Sequence, residues 1–178
     1  THPNNWQGLQ VAVDTYICPS ASLPPNRWNG LGYTTYRGVM GYWQQSDPNQ
    51  PFYVDPTDPN AGPLNNGIFH RNSAVTFRDI TDGESNTLMF GDTLFGGFWG
   101  DNYACCARAR ADQPNFDAYW HVPPSGNCPP SANGTDPFGP QFLGFGSFHG
   151  DVSIFSLADG STRSIAKTID STLFRQIC

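Results

Sequence analysis

The stretch Val152-Ser-Ile-Phe-Ser-Leu-Ala158, Asp159-Gly160, Ser161-Thr-Arg-Ser-Ile-Ala166 decides the fold. Two runs rich in β-branched and apolar residues flank an Asp-Gly pair, the signal of a β-hairpin with a tight type I′ turn. Just downstream, Asp170 has the side-chain oxygen of a helix N-cap. Ile169 before the cap and Phe174 four residues into the helix predict a hydrophobic staple. Leu173, Phe174 and Ile177 then give a helix over 170–177 one apolar face.

Working back from the hairpin, Asn86-Thr-Leu-Met-Phe90 predicts a third strand, extending towards residue 94. Tyr33 to Trp43, rich in aromatic and β-branched residues, predicts a strand with a glycine bulge or bend. Val11 to Cys18 predicts a short entry strand, and Phe77 to Ile80 one helical turn. Residues 46–67 are dense in Asp, Asn, Pro and Gly and read as a long excursion loop. Residues 96–146 read as a second irregular region, broken by Pro-Pro and Cys-Pro-Pro. The sequence predicts one strand-dominated α+β domain over 1–178: an antiparallel sheet with long irregular loops and a short C-terminal helix.

Composition agrees. The 178 residues hold 23 aliphatics (nine Leu, seven Ile, seven Val) against 25 aromatics, so aromatic rings must supply much of the core. Nineteen glycines and sixteen prolines without a period argue against collagen and long helical bundles. The net charge of −6, with one lysine (Lys167) and no basic cluster, argues against nucleic acid and anionic membrane surfaces as partners. No apolar run is long enough to span a bilayer. Five cysteines (Cys18, Cys105, Cys106, Cys128 and Cys178) in a loop-rich acidic chain predict at least one disulfide and an oxidising, extracytoplasmic compartment. Their connectivity stays open.

Four stretches carry a resemblance. They are Ile17-Cys18-Pro19-Ser20; Tyr36-Arg37-Gly38-Val39-Met40-Gly41; Gly67-Ile68-Phe69, leading into Phe77-Arg-Asp-Ile-Thr-Asp-Gly-Glu-Ser-Asn-Thr-Leu-Met-Phe90; and His149, nine residues, then Asp159-Gly160. Together they resemble a large family of exported proteins of unknown function, found in planctomycetes and relatives, with a prepilin-like N-terminal cleavage and methylation segment and a C-terminal His-x9-Asp-Gly motif. Gly91-Asp92 stands where that family usually has Gly-Glu. The family's apolar N-terminal helix has no counterpart in residues 1–178. The resemblance therefore implies a pilin- or pseudopilin-like head, non-enzymatic, that acts in a surface or periplasmic assembly. It carries no established chemistry.

Several residue groups suggest chemistry of their own. Asp79, Asp82 and Glu84, with Asn86, gather oxygen ligands around Gly83 as a Ca²⁺ site would; the plainer reading is a turn capped by Asp82-Gly83. Asp55, Asp58 and Asn60 make a weaker set. His149 and Asp159 lie about 30 Å apart along a straight strand, too far for a dyad. They read as structural, with His149 bonded to a backbone or carboxylate partner and Asp159-Gly160 forming the turn. Ser147 and His149 lack a nucleophile elbow. Cys105, Cys106, His121 and Cys128 could ligate zinc, but no Cys-x-x-Cys pair is present and disulfide bonding is the favoured reading. Trp28, Trp43, Trp99 and Trp120 form either a carbohydrate-binding platform or part of an aromatic core. Self-assembly or a protein partner, through the sparsely charged loops at 46–66 and 96–146, is the leading expectation; a carbohydrate- or ligand-binding surface module is the alternative.

Overall fold

A computed structural model of the chain describes residues 6–23, 30–42, 67–69, 73–94, 98–100, 106–109 and 144–178. Their centre is a five-stranded sheet. In chain order the elements are helix α1 (Trp6–Leu9), strands β1 (Tyr36–Tyr42), β2 (Leu88–Asp92), β3 (Cys106–Ala109), β4 (Val152–Leu157) and β5 (Thr162–Ala166), and helix α2 (Ser171–Ile177). The strands lie in the order β3-β1-β2-β4-β5. The pairs β1–β2, β2–β4 and β4–β5 are antiparallel, as expected.

β3 differs. It joins β1 in parallel, Gly38 opposite Cys106 and Val39 opposite Ala107, which makes the sheet mixed. The entry segment also differs: Val11 to Cys18 is no strand but contains a single 3-10 turn, Asp14–Tyr16. It is tied down by individual hydrogen bonds, from the Thr35 amide to the Tyr16 carbonyl and from the Trp99 indole to the Val11 carbonyl, each 2.9 Å. The helical turn at Phe77–Asp79 is present, with Thr76 and Asp79 closing a capping box.

The β4–β5 hairpin shows how the local sequence works. The Gly160 amide donates to the Leu157 carbonyl (3.0 Å) and the Leu157 amide to the Ser161 carbonyl (2.8 Å). That leaves three residues, Ala158-Asp159-Gly160, in the loop rather than the two of a type I′ turn. Gly160 takes the left-handed conformation at φ 83, the bulge position of a three-residue hairpin. Asp159 accepts from the amide and hydroxyl of Ser161, which holds its carboxyl below the usual carboxylate range.

Along β4, Ser153, Phe155 and Leu157 are buried while Val152, Ile154 and Ser156 are half-buried. The buried face meets Val39, Leu88, Ala107, Phe145, Ile165, Phe174 and Cys178. Phe145, Phe155 and Phe174 pack edge to face in pairs at 5.1, 5.9 and 6.1 Å, so aromatic rings do fill this core. Each fully buried ring contributes about 1.5–3 kcal/mol. Asp170 caps α2 by accepting from the amides of Thr172 and Leu173. Phe174, Ile177 and Ile169 face the core; Leu173, expected on that face, is 49% exposed. A second cluster joins Leu31, Tyr33 and Phe98 to Leu9, Ile17 and Leu23, packing the entry segment against the sheet's end.

Gly67-Ile68-Phe69 lies against β1, its ends bonded to the Met40 and Val39 carbonyls. Phe69 rests over Gly38, where a Cβ would sit 2.6 Å from its ring. It meets Phe90, the cross-strand neighbour of Gly38, at 4.8 Å. Gly38 is required here because any side chain would occupy the ring's place.

Candidate functional site: a buried thiol–imidazole network

At the end of the sheet where β1 begins and β2 ends, polar groups from four separate stretches meet. The Cys18 amide donates to Thr35 Oγ1 (2.7 Å), and the Thr93 amide to the Thr35 carbonyl (2.7 Å). Thr35 thus docks the entry segment onto the sheet. Cys18 Sγ then lies 3.4 Å from His149 Nε2, and the Tyr36 hydroxyl is hydrogen-bonded to the same sulfur. Burial, then the neighbouring Cys18 and Asp92, push the Tyr36 phenol up to about 12.

His149 sits on a short loop before β4 whose shape is fixed from beneath. Its amide donates to Ser147 Oγ (3.0 Å), and Ser147 bonds in turn to the Asp92 carboxylate. Asp92 Oδ2 accepts from the Ile154 amide (2.8 Å), and its carbonyl accepts from the Gly146 amide (3.0 Å). Lys167, 5% exposed, donates from Nζ to the Ser147 carbonyl (2.8 Å) and the His149 carbonyl (2.7 Å). Burial raises the Asp92 carboxyl above its usual range, against the opposing pull of the Ile154 amide, His149, Ser147 and Lys167. The same burial lowers Lys167, which Asp151 and Asp92 partly offset. The arrangement holds an imidazole against a thiol, with a carboxylate close enough to act on the ring electrostatically.

The expected site residues fall out unevenly. His149 is structural in its backbone bonds, but its ring meets a thiol rather than the backbone or carboxylate partner expected. Asp159 and Gly160 form the turn. Asp79 accepts from the amide and hydroxyl of Thr76 (both 2.7 Å), which holds its carboxyl low, while the Asp82 carbonyl accepts from the Asn86 side chain. Among the described residues no group of three or more His, Cys, Asp or Glu is placed to hold a metal ion. Asp79 turns its carboxyl back onto its own helical turn. Cys18 and Cys178 are free thiols rather than disulfide partners: one faces His149, the other ends α2 in the apolar core. Cys106 is disulfide-bonded. Trp99 is half-buried and fastened through its indole N–H. Cys105, His121, Cys128, Trp28, Trp43, Trp120, Asp55, Asp58, Asn60 and most of the 46–66 and 96–146 loops lie outside the described residues.

Three of the four stretches quoted above, read apart in the sequence, supply Cys18, Tyr36 and His149 to this one network, and Asp92, just past the third, joins them. The family described as "Protein of unknown function (DUF1559)" matches residues 1–172. The chain belongs to the DUF1559 family. No curated protein and no solved structure is significantly similar to it. Among the described residues, no helix of this DUF1559 chain is long and apolar enough to cross a membrane. Sequence reasoning missed Asp92, Ser147 and Lys167 as network members; the signals present were the lone lysine, the acidic residue at the Gly-Glu position and the Ser147–His149 spacing.

Proposed function

We propose that this DUF1559 chain is a non-enzymatic, exported structural or interaction subunit, pilin- or pseudopilin-like, whose globular part contacts further copies of itself or a protein partner. The observation that carries this reading is the open edge at β5. Among the described residues, β5 is paired on one side, by β4, and four of its five residues are exposed. Ile154 points its amide at Asp92 on the β2 side, so its cross-strand partner Ser164 turns its own amide away from β4. An edge of this kind accepts another chain's strand. The bonded Cys106 fits an oxidising compartment, and the sparsely charged 46–66 and 96–146 loops suit contact with protein.

Sedimentation velocity over a range of concentrations tests the reading on three proteins: the parent chain, Ser164→Pro, and a deletion of 123–140. Concentration-dependent association of the parent, weakened in at least one variant, supports it. A parent chain that stays monomeric at the highest concentration overturns it.

A further inference from the structure

Two cysteines among the described residues carry free thiols, and their surroundings differ sharply. Cys178 is sealed in the apolar core, where burial pushes its thiol up. Cys18 touches an imidazole nitrogen and a phenol. We propose that Cys18 is an imidazole-assisted nucleophilic thiol, and that it is the site at which this protein undergoes thiol–disulfide exchange with a low-molecular-weight disulfide.

The geometry supplies the parts such a step needs. Neutral His149, through Nε2 at 3.4 Å, takes the Cys18 proton. The thiolate, still holding the Tyr36 hydroxyl as donor, attacks one sulfur of the disulfide. A bond forms between Cys18 Sγ and that sulfur, and the original S–S bond breaks. The departing thiolate takes the proton from the imidazolium. Cys18 is oxidised to a mixed disulfide and half of the small disulfide is reduced to a thiol, so electrons and protons balance. Attack by a free thiol on the mixed disulfide reverses the step.

His149 is a positioned base. Its loop is clamped by Lys167 Nζ and by the Ser147–Asp92 link, so the ring is presented to Cys18 by groups that do not themselves touch the disulfide. Ser147, Asp92 and Lys167 are positioning residues. Among the described residues, the titratable and charged groups around the pair are Tyr36 from β1, Asp92 from β2, and Asp151 and Lys167 flanking the hairpin.

Access is narrow but short. Cys18 is 5% exposed, yet Pro19, Ser20 and Gly150 are exposed and His149 is half-buried. The Cys18–Ala21 turn is closed by one backbone hydrogen bond of 2.9 Å, from the Ala21 amide to the Cys18 carbonyl.

The test uses the whole chain and oxidised glutathione as probe. Mixed-disulfide formation at neutral pH is followed by intact mass and peptide mapping. The expected result is one adduct on folded protein, at Cys18, and a reaction about a hundredfold slower in His149→Gln. Circular dichroism checks that the variant is folded; if it is not, the site of the first adduct on the parent decides alone. An adduct that forms only in denaturant, a first adduct on another cysteine, or a folded His149→Gln that reacts at the parent rate overturns the proposal.

Discussion

Lys167 is the chain's only lysine, and it is buried with its ammonium group between the Ser147 and His149 carbonyls. Lys167→Met leaves two inward-facing carbonyls without that donor, at about 1–3 kcal/mol each. Urea unfolding should therefore show a loss of about 2–6 kcal/mol. Ser153 gives the opposite sign. Its hydroxyl and that of Thr93 are buried without a hydrogen-bond partner, so Ser153→Ala removes a desolvated group and should leave stability unchanged or raise it. Tyr36 gives a pH dependence. Its phenol is raised from 10.0 to about 12, so its contribution is intact below the unfolded value near 10 and is lost as pH rises towards 12. Unfolding curves across that window should fall in the parent more steeply than in Tyr36→Phe. At this scale Cys18 and His149 were legible as motif residues, but their partnership was not. They are 131 positions apart, and a single sequence records no distance across such a gap.

The hairpin and α2 were the most legible elements because short-range chemistry specifies them: alternation, Asp-Gly, and an aspartate at the cap. Removing the cap with Asp170→Ala should cost about 0.5–2 kcal/mol, read as a lower thermal midpoint with the sheet signal preserved before the transition. Gly38→Ala should cost about 1–3 kcal/mol by driving Phe69 off Phe90, with the change visible in near-ultraviolet circular dichroism. β3 was illegible for a physical reason. Cys-Ala-Arg-Ala has none of the β-branched or aromatic residues that mark strands, and its place is set by pairing with β1. Val11 to Cys18 erred the other way: its backbone bonds to Thr35 and Trp99 and Ile17 packs on the Leu31–Tyr33–Phe98 cluster, so strand-like composition produced no strand.

At the scale of the molecule, the cysteines give a count that can be checked. Cys18 and Cys178 are free and Cys106 is bonded. Denatured, unreduced protein should titrate three thiols, and reduced protein five. The α+β class and the aromatic core were legible from composition, whereas the convergence of the motif stretches was not, because it depends on how the sheet brings residues 18, 36, 92 and 149 to one end. That convergence is the central claim: Cys18 and His149 together clamp the entry segment to the loop that leads into the C-terminal hairpin. A double-mutant cycle on Cys18→Ala and His149→Ala, measured by urea unfolding at neutral pH, tests it most directly. Clamping predicts that the two losses are non-additive, with a coupling of about 0.5–3 kcal/mol; losses that add to within about 0.3 kcal/mol would contradict it.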